Sequence, residues 1–286
     1  MTGPLVFPGL HQPSDAQHFA RCCVSIRRLQ TRRKPLGCPC VLVDSGSFTT
    51  IELNGGFPDP PEVYAAQLLR LHRAGVVEIA AAVTQDFMCE PFMVARTGLS
   101  VAEHQRLTVE RYDALAACGL PFPIMPVLQG YRPEEYLDHL AQYGDRLAPG
   151  MWVGVGSVCK RQGDPARIVE VLLLIKLRRP DLRLHGFGIK TIALRSIGVR
   201  ELLHSVDSMA WSDSAAEQSG LHVRKLGAEL GRRVKPAEAR RILLDRGITL
   251  RNPNDWREAR AFEAAIAGIV PVPTQLPLHD LAGCLL

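Results

Sequence analysis

The sequence predicts an α/β protein folded as an eight-stranded (β/α)8 barrel with a helical, Arg-rich C-terminal segment. Strand-like apolar runs alternate with helical patterns along most of the chain, and these runs end in polar residues. A length of 286 residues also suits a single barrel, which commonly needs about 250 residues. We therefore expect one domain over residues 1–286, with its helical segment at about 215–286.

Short apolar runs bounded by turn residues are predicted to form the strands. They are Leu5–Pro8, Val41–Asp44, Val77–Thr84, Ile124–Gln129, Trp152–Gly156, Leu182–Gly188 and Val206–Trp211. An eighth strand is placed near Ile248–Leu250.

Helical patterns lie between the predicted strands, at Pro61–Ala74, Val101–Ala117, Pro133–Leu147 and Pro165–Arg178. Three of them begin at a proline, which suits the first turn of a helix. Each helix would return the chain for the next parallel strand. Repeated right-handed crossovers of this kind give either a closed barrel or an open doubly wound sheet.

The residues at the ends of the predicted strands favour the barrel. They are Asp44, Asp86, Gln129, Gly156, Gly188 and Asp207. In a barrel the carboxyl ends of all strands meet at one mouth, whereas an open sheet would spread these residues along an edge.

Composition places few limits on function. The 34 Lys and Arg residues outnumber the 29 Asp and Glu residues, giving a net charge of +5 that suits a polyanionic partner without requiring one. No run of 18 apolar residues is present, and the N-terminus lacks the basic start and apolar middle of a signal peptide. We expect a cytoplasmic protein without a membrane span.

Eight cysteines occur without the regular spacing of a secreted disulfide scaffold, so reduced thiols are expected. Cys22, Cys23, Cys38 and Cys40 could together supply four zinc ligands. The gaps within these pairs are shorter than structural zinc sites normally use, which favours buried free thiols.

Two aspartates are candidate catalytic groups. Asp44 begins an Asp-Ser-Gly-Ser-Phe segment, where small residues after an apolar strand let a ligand approach the backbone. Asp207 interrupts an apolar strand, where an unpaired carboxylate is costly to bury. The structural alternatives are a helix cap or turn for Asp44, and a carboxylate satisfied by backbone amides for Asp207.

Asp86 and Gln129 each follow a predicted strand. An Asp and a Gln together can bind a guanine-like purine edge, because that edge offers N–H donors beside a carbonyl acceptor. Glycines at 154, 156, 186 and 188 could leave backbone groups open to a flat ring. Alternatively, they are small residues that fill a tapered barrel interior.

Taken in order, these segments resemble the tRNA-guanine transglycosylase superfamily over approximately residues 40–215. The similar motifs are D-S-G at 44–46, Q-G at 129–130, a glycine strand at 153–156, a loop like M-G-V-G at 185–188, and Val-Asp-Ser at 206–208 in place of F-D-C. Members of this superfamily are barrels that exchange guanine for a 7-deazaguanine through a covalent sugar-aspartate intermediate.

The resemblance implies a role for each matching residue. Asp207 would attack C1′ of the sugar, Asp44 would manage protons, and Asp86 with Gln129 would recognise the base. The rest of the implied pocket consists of Phe48, which would cover the base, and the backbone around Gly154, Gly156, His185 and Gly186. This chemistry needs no metal or organic cofactor.

One departure from the superfamily points away from tRNA. Its zinc motif should follow the nucleophile, but Cys284 is the only cysteine beyond Asp207. The phrases at 9–13, 85–91 and 208–212 instead resemble the DpdA branch, which inserts 7-deazaguanines into DNA. DNA and a base such as 7-cyano-7-deazaguanine are therefore the expected partners, while the base identity, the DNA sequence and the need for a helper ATPase stay open.

Basic residues near both ends of the chain are candidates for phosphate contacts. They are Arg27, Arg28, Arg32, Arg33, Lys34, Arg224, Lys225, Arg232 and Arg233. For any one of them, a solvated helix face is an equally good interpretation.

Three other functions stay open at this stage. The first is a transglycosylase that acts on RNA, and the second is a catalytically silent barrel that binds nucleic acid or a deazapurine. A metal-dependent hydrolase is the third, although no H-x-H pair ends a strand.

Overall fold

A computed structural model describes residues 3–161, 163–251 and 255–269 of the chain. It contains two fully parallel sheets, one of five strands and one of four. The strands are β1 (Leu5–Pro8), β2 (Cys22–Ser25), β3 (Val41–Asp44), β4 (Ile79–Val83), β5 (Ile124–Met125), β6 (Val127–Leu128), β7 (Trp152–Val155), β8 (Arg183–Gly186) and β9 (Ser205–Ser208). The order is β1-β9-β8-β7-β6 in one sheet and β2-β3-β4-β5 in the other.

Helices follow most of the strands and return the chain to the next one. They are α1 (Ser47–Asn54), α2 (Pro61–Arg73), α3 (Pro91–Thr97), α4 (Val101–Ala117), α5 (Pro133–Tyr143), α6 (Pro165–Arg178), α7 (Thr191–Leu194), α8 (Ile197–Leu202), α9 (Ala210–Glu229), α10 (Pro236–Asp245) and α11 (Trp256–Ile269). Prolines begin α2, α5 and α6, as predicted. Proline suits this position because the N–H groups of a helix's first turn have no acceptor within the helix, so the N–H that proline lacks costs no hydrogen bond. The mixed α/β class with parallel sheets is confirmed.

The two sheets approach each other at both edges. Pro126 alone separates β5 from β6, and it supplies no N–H to a strand ladder. At the other edge, Gly9 forms an isolated parallel bridge with Cys23 of β2. The two sheets do not by themselves establish a closed barrel, so the complete barrel stays a prediction.

One predicted strand is absent, and one observed strand was not predicted. Residues Ile248–Leu250 form no strand, and the strand that was missed is Cys22–Ser25. This segment pairs with β3 in the sheet, so its cysteines and valine are buried as apolar strand residues. The last predicted strand also ends earlier, at Ser208, because Trp211 already belongs to α9.

The strands are buried on both faces, as parallel strands under helices are expected to be. Residues on one face of the strands pack against one another across both sheets; they include Phe7, Cys23, Leu42, Ala81, Val83, Met125 and Val127. The opposite faces pack against the helices in two larger apolar clusters. Ile266 of α11 belongs to one of these clusters and Ala259 of α11 to the other, so α11 packs onto the same core.

None of the described helices combines the length and apolar character that a bilayer crossing requires.

Candidate active site

A cleft of about 680 Å³ opens at the carboxyl ends of the strands. The sequence-predicted residues that line it are Arg27, Arg28, Asp44, Phe48, Asp86, Gln129, Gly156 and Asp207. These residues come from β3 and β9 and from the segments that follow β2, β3, β4, β6 and β7, so the cleft depends on the parallel arrangement of the strands. In α/β proteins this end of the sheet is where ligands usually bind.

Asp207 lies in β9 with its side chain 15% exposed. Its Oδ1 accepts a hydrogen bond from the backbone N–H of Gly188 over 3.0 Å and contacts Nε2 of His185 at 3.2 Å. Among the described residues, no hydrogen bond ends on Oδ2 of Asp207. One carboxylate oxygen is therefore fixed by the protein, while the residue itself lines the cleft.

A buried hydrogen-bond chain holds the imidazole ring of His185. The indole N–H of Trp152 donates to Oγ of Ser205 over 2.7 Å, and that Oγ lies 2.9 Å from Nδ1 of His185. Because the indole N–H can only donate, the hydroxyl of Ser205 stays available to donate a hydrogen bond to Nδ1. In that arrangement the Nε2–H of His185 can donate a hydrogen bond to Oδ1 of Asp207.

Asp44 ends β3 and is half-buried. The backbone N–H of Gly46 donates to its Oδ2 over 3.0 Å, and the Ser25 side chain also hydrogen-bonds to it. Burial, followed by the nearby negative charge of Asp207, raises the pKa of Asp44 above its usual value. Two carboxyl groups with different surroundings thus share the cleft, an arrangement that can supply one ionised and one protonated group.

Gly46 has a φ of 71°, a left-handed conformation that favours glycine. This turn places Asp44 at the cleft and starts α1. A Cβ at residue 46 would also lie 2.8 Å from the side chain of Arg27. Because glycine has no Cβ, the Arg27 side chain can pass close over the backbone at this position. The guanidinium of Arg27 then reaches Oγ1 of Thr50 on α1 over 3.4 Å.

Asp86 and Gln129 form a buried pair. The Nε2 amide of Gln129 donates a short hydrogen bond to Oδ2 of Asp86, and Ser47 hydrogen-bonds to the same carboxyl group. Burial is the largest effect and raises the pKa of Asp86 to about 6. Asp86 is therefore mainly ionised at neutral pH and largely protonated below pH 5.

Gln129 is held from several sides. Its backbone N–H donates to Nδ1 of His139 over 2.8 Å, and its backbone carbonyl accepts from Gln105 over 2.8 Å. Burial lowers the pKa of His139 to about 3, so this ring stays neutral and can accept. The Ser157 hydroxyl donates to Oε1 of Gln129 over 3.1 Å. A Cβ on Gly156 would lie 2.2 Å from the Gln129 amide, so only glycine leaves room for it.

The other glycines of the implied pocket are placed differently. A Cβ on Gly154 would lie 2.4 Å from the ring of Phe187, which occupies the space that a ligand would need. Gly186 is buried against Ile189 and Leu203. Gly154, Gly186 and His185 do not line the cleft. Gly154 and Gly186 match the alternative in which small residues make room for the chain's own side chains.

Of the predicted phosphate contacts, only Arg27 and Arg28 line the cleft. Arg32 donates to the carbonyls of Lys34 and Pro35 over 2.9 and 3.1 Å, so its guanidinium holds its own loop together. The remaining candidates are exposed and lie outside the cleft lining; they are Arg33, Lys34, Arg224, Lys225, Arg232 and Arg233. Arg232 forms an ion pair with Glu238 of α10.

Several cleft residues were not found from the sequence. Ser25 binds Asp44 but ends the strand that was missed, whereas Ser47 lies in the same Asp-Ser-Gly-Ser motif as Asp44 and could have been proposed. Glu90, 3% exposed, adds a fourth acidic residue to the cleft beside Asp44, Asp86 and Asp207. Ser157 has a φ of 62°, an uncommon conformation for a residue other than glycine.

The clustered cysteines face different parts of the core. Cys22 and Cys38 lie in the cluster beneath the helices, where a hydrogen bond from Cys22 lowers the pKa of Cys38. Cys23 points to the opposite face and lines the cleft. Within the described residues, no group of three or more His, Cys, Asp or Glu side chains could hold a metal ion. Cys284 lies outside the described residues.

These features define an α/β protein with an acidic cleft at the carboxyl ends of parallel strands. A family model for DpdA, described as deoxypurine in DNA protein A, matches residues 5–227, and the chain belongs to this family. Membership implies a transglycosylase that acts on DNA in DNA modification. No curated protein matches the chain significantly.

Proposed function

We propose that this protein exchanges guanine in DNA for a 7-deazaguanine base through a covalent intermediate on Asp207. The observation that carries the proposal is the common cleft, which Asp207, Asp44 and the Asp86–Gln129 pair line together. Family membership supplies DNA as the partner. The geometry supports a separate role for each group.

Asp207 is the proposed nucleophile. Its carboxylate forms a bond to C1′ of the target deoxyribose, and the bond from C1′ to guanine breaks with its electron pair leaving on the base. The incoming base then forms a new bond to C1′ and displaces Asp207. Two displacements retain the configuration at C1′.

Asp44 is the proposed proton donor and acceptor. Its raised pKa favours the protonated carboxylic acid, which can donate a proton to the departing guanine. The resulting carboxylate accepts the proton that the incoming base loses when it attacks C1′. Asp44 therefore ends the cycle in its starting state.

Asp86 and Gln129 are the proposed base-recognition groups. Ionised Asp86 can accept hydrogen bonds from ring and exocyclic N–H groups, while the Gln129 amide can donate to a carbonyl. The bonds from His139, Gln105 and Ser157 fix Gln129 before any base arrives. Such preorganisation lowers the ordering cost of binding. Phe48 would cover the base from the edge of the cleft.

The target guanine must leave the DNA stack to reach Asp207, at a cost of a few kcal/mol. Phosphate contacts can offset part of this cost. Arg27 and Arg28 are the best placed of the predicted contacts, because they line the cleft. The Arg-rich segment of α9 and α10 would bind DNA further from the reacting base.

We further infer that the sheets close into an eight-stranded barrel, in which β5 and β6 count as one strand interrupted at Pro126, and that residues 1–286 form one domain. The Gly9–Cys23 bridge and the short break at Pro126 support closure, and the packing of α11 supports a single domain. A cytoplasmic location and the choice of 7-cyano-7-deazaguanine are also part of the proposal. The need for a helper ATPase stays open.

The test is incubation of duplex DNA with the protein and 7-cyano-7-deazaguanine, followed by mass spectrometry of the released nucleosides. The expected product is the 7-cyano-7-deaza-deoxyguanosine nucleoside, formed by the wild type and absent with Asp207→Asn. A parallel incubation with tRNA separates DNA from RNA as the substrate. Incorporation into tRNA alone, or into neither nucleic acid under any condition, would contradict the proposal.

A further inference from the structure

Two phenylalanines form an exposed aromatic pair at the edge of the cleft. Phe48 lies in the first turn of α1 and Phe92 in the first turn of α3, with 6.0 Å between their ring centroids and an angle of 58° between the rings. Phe48 is 39% exposed and Phe92 46%. Phe48 also lines the cleft, so the pair extends from the proposed base pocket to the outer surface.

The pair stands on a packed base. Ile51 of α1 and Met93 of α3 are fully buried beneath it and pack with Phe87 and Met88. Arg96 of α3 ties the two helices together by donating to the carbonyls of Glu52 and Leu53 over 2.8 and 2.9 Å. The backbone under both rings is thus fixed, and their exposure comes from their position on a well-packed unit.

The surroundings fit a nucleotide better than an apolar partner. Arg27 reaches Thr50, two residues along α1 from Phe48, and Arg27 and Phe48 line the same cleft. Aromatic rings next to a cation are the combination that binds single nucleotides, since bases stack on the rings and phosphates contact the cation. The proposed pocket assigns Asp86, Gln129 and Phe48 to the target base, and no step of the proposed reaction uses Phe92, which does not line the cleft.

We infer that Phe92 stacks on the base that neighbours the target guanine on the same DNA strand, while Phe48 covers the target itself. This inference rests on the proposed function. The two ring centroids lie 6.0 Å apart, within reach of two nucleotides that are joined by one backbone linkage. One strand can therefore present consecutive bases to the two rings when the target leaves the stack. Phe92 would replace the stacking partner that the neighbour loses.

The test measures affinity for a duplex whose only guanine is the target, at fixed salt, by fluorescence anisotropy. Phe92→Ala is expected to weaken binding by about fivefold or more, the usual effect of removing one base-stacking ring. Phe92→Leu keeps an apolar side chain without a flat ring and should be weakened similarly. Leu177→Ala, a change at a 72% exposed residue of α6, is the matched control and should bind as the wild type does.

A second set of duplexes identifies the base that Phe92 contacts. In each, one nucleotide adjacent to the target guanine lacks its base. Removing the correct neighbour should weaken the wild type by about the same factor as Phe92→Ala does, and it should weaken Phe92→Ala no further.

Two results would overturn the inference. One is intact-duplex affinity of Phe92→Ala equal to that of the wild type. The other is that, for both neighbours of the target, removal of the base weakens Phe92→Ala by the same factor as it weakens the wild type. If the wild type binds this duplex and exchanges its guanine, either result counts against Phe92 alone. Absence of both DNA binding and exchange in the wild type would count against the proposed function itself.

Discussion

His185 and Asp207 lie on adjacent parallel strands, and Nε2 of the buried imidazole contacts Oδ1 of the carboxylate at 3.2 Å. The far side of the imidazole is bound to Ser205, which in turn accepts from Trp152. This arrangement resembles the way an orienting group fixes the tautomer of a catalytic histidine, but here the histidine fixes the carboxylate. His185 is therefore a positioning residue for the proposed nucleophile.

Replacing His185 should slow exchange without weakening base binding. His185→Leu removes one hydrogen bond to a charged group, worth about 1.5 to 3 kcal/mol, so kcat should fall roughly 10- to 100-fold. KM for the base should change little, because His185 does not line the cleft. His185→Gln retains an N–H donor and should recover part of the rate. Equal losses in the two variants, together with equal falls in Tm, would show a structural role only.

Base affinity should depend on pH through Asp86. The ionised carboxylate accepts the hydrogen bonds of the base, so affinity should fall as pH drops through about 6. Calorimetry between pH 5 and 8 would show this step in the wild type. Gln129→Ala should weaken binding by roughly 1 to 3 kcal/mol yet keep the step. Asp86→Asn should bind weakly at every pH and lose the step, and a step that persists in this variant would assign it to another group.

The same pKa shift predicts that Asp86 destabilises the fold at neutral pH. A carboxyl group with a raised folded-state pKa binds more protons in the folded state, so its stabilising effect is complete below its usual pKa of 3.8 and is lost as pH rises through about 6. Asp86→Asn should raise the free energy of unfolding by about 1 to 3 kcal/mol at pH 7.5. The gain should largely vanish at pH 4. Urea denaturation at both pH values checks this, and equal gains at the two values would contradict it.

Much of this fold could be predicted from local patterns. Four elements, namely Leu5–Pro8, Val41–Asp44, Val101–Ala117 and Pro165–Arg178, were predicted with the observed bounds. Prolines, capping residues and apolar runs mark these bounds within a few residues of chain. The strand Cys22–Ser25 was missed because it carries two cysteines and only one β-branched apolar residue. Its burial comes from neighbouring strands that are distant in sequence.

The candidate site shows the same division between local and distant information. The positions of Asp44, Asp86, Gln129 and Asp207 at strand ends could be predicted, because parallel strands end at one side of a sheet. The partners of these residues could not. His185 meets Ser205 only because the register between β8 and β9 pairs them, and no local pattern encodes that register.

The basic residues should differ in their effect on the salt dependence of DNA binding. Each lost phosphate contact reduces the magnitude of the negative slope of log affinity against log salt by about 0.9. Replacing Arg27 and Arg28 by alanine should therefore lower it by nearly 2, because both line the cleft. The pair Arg224 and Lys225, exposed on α9, is the matched comparison for the Arg-rich segment. An unchanged slope in that double variant would identify α9 as a solvated helix face.

The covalent step gives the last prediction. When guanine leaves and no replacement base is present, Asp207 should remain bonded to C1′, so a complex of protein and DNA should survive denaturation. Asp207→Asn keeps the size and the contacts to His185 and Gly188 but removes the negative charge, and it should form no adduct. Asp44→Asn leaves the nucleophile in place and removes only the proton donor, so it should form the adduct slowly. Denaturing gel electrophoresis with labelled DNA compares the three proteins, and thermal unfolding confirms that each is folded. Robust base exchange by Asp207→Asn, in a preparation shown by mass spectrometry to contain no deamidated protein, would contradict the covalent mechanism.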